Sequence, residues 1–247
     1  MALGLAAGCA PSQPVIVDEG TVRLFGGQHV AGSYVSPSAY GHYLDAQLRA
    51  LRGEHEEAAA ELARAIASDG ISPYLRTRFG EELLALGRLD EARDSFETAL
   101  RLDPEFAEAY VGLGRIALRL GDKTGAETAF RRALEIDRTC EDAYLSLAAL
   151  YRERGDAAKA DDLFQKLASR VPTSAAAHRQ VARIAAAKGD LRAETQALRT
   201  VIALAPGDVE SRLELGRALF ALHDVGEAEH ELRLAWERSS HDPRVAE

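Results

Sequence analysis

Apolar residues recur at three- and four-residue intervals from residue 39 onward, in blocks that themselves repeat every 34 residues. Such spacing predicts amphipathic helices and excludes strands over this stretch. Six copies run in phase without insertion or deletion, over 39–72, 73–106, 107–140, 141–174, 175–208 and 209–242. The eighth position is always small: Ala46, Gly80, Gly114, Ala148, Ala182 and Gly216. The twentieth is Ala58, Ala92, Ala126, Ala160, Glu194 and Ala228, and the twenty-fourth is Leu62, Phe96, Phe130, Phe164, Leu198 and Leu232. The pattern predicts two antiparallel helices per copy, with backbones that approach at the small residues and a large apolar side chain filling the space beside them.

The punctuation agrees with that division. Position fifteen is Gly53, Gly87, Gly121, Gly155 and Gly189, with His223 in the last copy. Glycine there supplies the left-handed residue that closes a helix. An acidic residue usually follows (Glu54, Asp122, Asp156, Asp190, Asp224), which suits the start of a second helix. Pro104, Pro172 and Pro206 stop the second helix of three copies.

Period and landmarks together resemble the tetratricopeptide repeat family. Tyr110, Leu113, Gly114, Ala126, Phe130 and Ala133 make the third copy the best match. The first copy is degenerate, with His42, Asp45 and Arg49 where larger apolar residues are usual. The resemblance implies an all-α fold, a right-handed α-solenoid of six helix-turn-helix repeats, preceded by a short irregular or hairpin segment. It also implies a non-enzymatic scaffold that holds another protein, without a cofactor.

In such arrays the first helices line a concave face. Carried over, this face takes Tyr40, Tyr43, Tyr74, Thr77, Val111, Arg115, Arg119, Leu145, Arg152, Arg179, Arg183, Leu213, Arg217 and Phe220. With the helix-start position left out, its six arginines stand against two acids, Glu81 and Glu153, whereas the whole chain carries a net charge of −9. Guanidinium groups pair bidentately with carboxylates, so one reading is a groove for an acidic or C-terminal peptide, anchored at Leu145, Leu213 and Phe220. In the other, the arginines pair with acids at helix starts, such as Glu108, Asp142 and Glu210, and only solubilise the face. The family's asparagine-based carboxylate clamp has no counterpart, because the chain contains no Asn.

Charge and hydropathy narrow the partners further. An acidic chain of 247 residues argues against nonspecific binding to nucleic acid, and no apolar run is long enough to span a membrane. Ala7, Gly8 and Cys9 resemble the acylation site of a bacterial lipoprotein signal, although no basic residue precedes them. On this reading residues 1–9 are a signal remnant, the lipid on Cys9 is the only membrane contact, and residues 10–38 form a tether. Val15 to Val35 within it could make a short hairpin about Gly26 and Gly27. Ala10 points to the periplasmic face of the outer membrane, and the architecture resembles lipoproteins that assist pilus, secretin or outer-membrane assembly. The alternative is a cytoplasmic adaptor, or the regulatory portion of a larger protein. Residues 243–247 are a tail or the start of a further repeat, and Trp236 on the last helix offers a surface for self-association.

Catalytic and metal chemistry find little support. His55-Glu56-Glu57-Ala58-Ala59 lacks the second histidine of a zinc helix, and His223, Glu227, His230 and Glu231 are expected on a solvated face. No metal site is assigned.

Overall fold

The computed structural model describes residues 36–239, together with the backbone of three short strands between residues 16 and 31. It has two compact units, Met1–Pro104 and Glu105–Glu247. The first holds α1 (Pro37–Leu51), α2 (His55–Ser68), α3 (Pro73–Ala85) and α4 (Leu89–Leu102). The second holds α5 (Ala107–Arg119), α6 (Lys123–Ile136), α7 (Glu141–Glu153), α8 (Ala157–Arg170), α9 (Ala175–Ala187), α10 (Leu191–Leu204), α11 (Val209–Ala221) and α12 (Val225–Ser239). Each odd-numbered helix pairs with the even-numbered helix after it, one pair per repeat.

Local chemistry sets the helix ends. The five glycines at position fifteen take φ between 71° and 81°. At Gly121 the chain turns so that its N–H reaches Leu118 O and the next N–H, of Asp122, reaches Ala117 O, at 3.0 and 2.8 Å. His223 adopts the same left-handed region, φ 63°, without a glycine's freedom. Asp122 and Asp190 accept from the N–H groups of Gly125 and Ala193, at 2.8 and 3.0 Å. Glu54 and Asp156 make no such capping bond.

Within a repeat the small eighth residue receives the ring or branch of the twenty-fourth. Phe96, Phe130 and Leu198 are fully buried, and burial of each such side chain contributes about 1.5–3 kcal/mol. The fourth and twenty-third positions vary in an ordered way. Tyr144 and Leu163 hold these positions in the fourth repeat, and both are buried in the second unit's core. In the first repeat His42 bonds Glu61 instead, at 2.8 Å, and in the sixth Arg212 bonds Glu231 at 2.6 Å. His42, one of the polar residues that make the first copy look degenerate, is thus paired across its two helices. The hydrogen bond from His42 holds the Glu61 carboxyl below its ordinary value, with Arg64 adding to the effect.

Ahead of α1, β1 (Ile16–Val17), β2 (Gly20–Phe25) and β3 (Gln28–Ala31) form an antiparallel meander. The β2–β3 pair is the expected hairpin, with Phe25 opposite Gln28. A two-residue β1 is too short for alternation to reveal. Cys9 and the 243–247 tail lie outside the described residues.

Candidate partner-binding surface

In the first unit, α1 and α3 bring three tyrosines together. The Tyr43 ring lies 6.5 Å from Tyr40 and 5.5 Å from Tyr74, edge-on to the latter. The Tyr43 and Tyr74 hydroxyls are 2.5 Å apart, and the Gln47 amide donates to the Tyr43 hydroxyl. Burial, then the bond to Tyr74, pushes the Tyr43 phenol up to about 12, so it stays neutral. Arg78 lies over the Tyr74 ring at 5.0 Å and reaches Glu81 at 2.7 Å. Beside this cluster opens a cleft of about 340 Å³, walled by Tyr43, Gln47, Leu51, Arg78, Glu81 and Glu82. Leu51 on its rim is 85 % exposed. An aromatic wall, an aliphatic rim and a stacked guanidinium suit one apolar or aromatic side chain of a partner.

Thr77 and Val111, expected on the binding face at position five, are instead 2 % exposed and cannot touch a partner. At that position the helix turns inward: Val111 joins the second unit's core, and the Thr77 hydroxyl is buried without a hydrogen bond to described residues. Leu145 and Arg179 at the same position are partly exposed.

The second unit brings together the arginines. Arg115 bonds Asp142 at 2.9 Å, and Arg183 lies 3.9 Å from Glu210. In each pair the position-nine arginine meets the second residue of the next first helix. Arg179 bonds Asp208 at 2.6 Å. Burial opposes ionisation of Asp208, but the bonds from Arg179 and Ser211 outweigh it and hold the carboxyl below its ordinary value. Arg152 donates to Gln180 at 3.0 Å and stacks 4.7 Å over Phe164. Arg115, Arg152, Arg179 and Arg183 therefore each reach a residue on, or just ahead of, the next repeat's first helix. Arg119 and Arg217 are exposed and make no ion pair with described residues. Leu213 and Phe220 are 36 % and 64 % exposed.

Glu194 was not among the expected site residues, although its signal was visible in the sequence. It stands where the other repeats bury alanine, and its carboxyl lines a cleft of about 190 Å³ with Ala182, Arg183, Ala186, Glu214 and Arg217. Burial, then the charge of Glu214, raises its pKa above the ordinary value. Elsewhere, Glu227 is bonded by Arg199 and Glu231 by Arg212. Burial pushes the Cys140 thiol up to about 11, which keeps it protonated and a poor nucleophile.

Models of the tetratricopeptide repeat match residues 77–139 and 142–174. The helix pairs within those residues match the tetratricopeptide repeat. The six helix pairs, numbered TPR1 to TPR6 in chain order for reference, are similar in fold to TTC0263, a thermophilic TPR protein of Thermus thermophilus. That structure is 16% identical with a TM-score of 0.58, over 74% of this chain and 99% of that one. The Cut9–Hcn1 hetero-tetramer of the APC/C is similar with a TM-score of 0.56 and 17% identity, over 85% of this chain and 42% of that one. YrrB, a TPR protein described with an unusual peptide-binding site, is 20% identical with a TM-score of 0.49, over 75% of this chain and 95% of that one. No curated protein sequence matches the chain.

Proposed function

We propose that this protein is a non-catalytic TPR scaffold that receives a partner segment on the first-helix faces of its repeats. The observation that carries the reading is the cleft beside Tyr43 and Tyr74: an aromatic, partly open wall with room for a partner's side chain. Arg78 lines the cleft and stacks on Tyr74, and in the second unit Arg119 and Arg217 offer guanidinium groups without an ion pair among the described residues. An aromatic or aliphatic side chain fits the first unit's cleft, and a carboxylate fits the second unit's arginines.

The finer proposal is that the scaffold is a lipoprotein of the bacterial envelope, acylated on Cys9, facing the periplasm from the outer membrane, and serving pilus, secretin or outer-membrane assembly. It is supported by the Ala7-Gly8-Cys9 sequence and the Pro11 to Pro14 stretch that suits a tether. Among the described residues no helix is long and apolar enough to cross a membrane. Several acyl chains at about 0.8 kcal/mol per buried methylene would hold it firmly.

Two measurements test these readings separately. Intact mass of the protein from its native cell should show lipid on Cys9; an unmodified Cys9 overturns the tether and leaves the scaffold standing. A photo-crosslinking residue at Gln47 should capture one partner in the native cell, and Tyr74→Ala should abolish the capture. Capture that survives Tyr74→Ala removes the cleft from consideration.

A further inference from the structure

The cleft beside Tyr43 is walled chiefly by α1 and α3, and its polar groups are unequally satisfied. On the α1 wall the Gln47 amide N–H donates to the Tyr43 hydroxyl. On the α3 wall Arg78 donates to Glu81 at 2.7 Å and stacks on Tyr74. Glu82, the next residue, also lines the cleft, and its Oε2 accepts from His55 Nδ1 at 2.8 Å. Its Oε1 has no hydrogen-bond partner among the described residues, although the side chain is only 16 % exposed. That oxygen depends on the water the cleft admits.

An occupant of the cleft expels that water, so its own chemistry decides whether the carboxylate is left unpaired. A leucine or phenylalanine side chain has no donor to give, and stranding a charged acceptor weakens binding. A lysine or arginine has donors but sets a second cation beside Arg78, where Glu81 and Glu82 already hold Arg78 and His55 as partners. A ring with one neutral donor at its edge meets both conditions. Its face packs on Tyr43 and on the aliphatic wall of Ala46, Ala50 and Leu51, while its edge reaches the acid.

On the reading that this cleft seats a partner's anchor, we propose that the anchor is a tryptophan or tyrosine whose ring N–H or O–H donates to Glu82 Oε1. Glu82 then determines specificity. His55 is a positioning residue, holding the carboxylate by its other oxygen. The aromatic wall supplies affinity, and the acid selects among aromatic side chains.

Blocked tripeptides, acetyl-Gly-X-Gly-amide with X as Trp, Tyr, Phe, Leu or Lys, test the assignment. Each is titrated to about 10 mM against the full chain, with the amide resonances of residues 46–51 and 78–82 followed by NMR. The Trp and Tyr peptides should bind at least about tenfold more tightly than the Phe peptide. Glu82→Gln keeps the shape but has one carbonyl oxygen to serve both His55 and the ligand. In that variant Trp and Tyr should lose their advantage over Phe, while resonances away from the cleft stay in place and report an intact fold. Phe bound as tightly as Trp and Tyr, or an advantage that survives Glu82→Gln, overturns the donor assignment and leaves the cleft as the anchor site. Lys bound most tightly overturns it in favour of a cationic anchor. Failure of every peptide to shift those resonances removes the cleft and this assignment together.

Discussion

A Cβ built on Gly114 would stand 2.5 Å from the ring of Phe130, and Gly80 with Phe96 and Gly216 with Leu232 repeat the conflict at 2.8 and 2.6 Å. The missing side chain and the large one occupy a single space. Gly114→Leu is therefore expected to cost about 1–3 kcal/mol, through displaced rings and shifted backbone. The check is the urea midpoint followed by far-ultraviolet circular dichroism. Gly41→Ala serves as the contrast, since its Cβ meets nothing within 4 Å on α1. It should gain up to about 1 kcal/mol from helix propensity.

His223 holds φ 63° where five other repeats place glycine. An L-residue in that region costs about 1–2 kcal/mol, somewhat less for residues that tolerate it. His223→Gly should raise the stability of the chain by about 1 kcal/mol, and Gly155→His should lower it by a similar amount. Thermal melts of the two variants should move in opposite directions; parallel shifts would show that the turn carries no strain.

The helical fold was legible because its determinants are local and repeated. Glycine at position fifteen, the small eighth residue and the knob at twenty-four each act within one helix pair, so a single copy of the sequence carries the instruction. The binding surface was less legible, because exposure depends on helix rotation. Position five is partly open at Tyr43 but shut at Thr77 and Val111. The arginines illustrate a second obstacle: residue type marks them as carboxylate binders, yet only three-dimensional register shows that Asp142 and Asp208 already hold Arg115 and Arg179. β1 went unread because two residues have no period.

Glu194 should make stability depend on pH. Its folded pKa is raised, first by burial and then by Glu214 across the cleft, with Arg183 and Arg217 as the cations on its walls. A raised carboxyl favours the folded chain while it is protonated, and that contribution is lost as pH rises through the raised value. Glu194→Gln stays neutral at every pH. Its stability relative to the native chain should therefore improve as pH goes from about 4 to about 7. A difference that stays flat across that range would show that Glu194 is solvated like an ordinary surface acid.

Arg212 is 6 % exposed, its Nη1 donating to Glu231 at 2.6 Å and its Nη2 to Pro206 O at 3.3 Å. Removing the carboxylate strands a buried cation. Glu231→Ala is expected to cost about 3 kcal/mol. Joint replacement by Arg212→Leu and Glu231→Leu should cost far less, since both polar groups then leave together. Equilibrium urea unfolding of the three chains compares the broken pair with the pair replaced outright. Single and double variants of equal stability would mean that the pair is solvated.

Tyr43 and Tyr74 share a hydroxyl contact of 2.5 Å, and Arg78 stacks on the second ring. Partner capture through this cluster should therefore depend on shape more than on charge. Tyr43→Ala with Tyr74→Ala should weaken binding at least tenfold, about 1.4 kcal/mol, with little response to salt. Charge reversal of Arg119 and Arg217 should weaken it less at high salt than at low, because exposed charges are screened over about 10 Å at 0.1 M. Reversal of Arg115 or Arg179 carries a second consequence, the loss of an internal pair. Those variants should lower the melting temperature as well as binding, whereas Arg119→Glu should lower binding alone. Isothermal titration with the cross-linked partner, at two salt concentrations, resolves the contributions. If salt instead abolishes binding while the tyrosine variants bind normally, the arginines of the second unit are the recognition surface and the cleft is not.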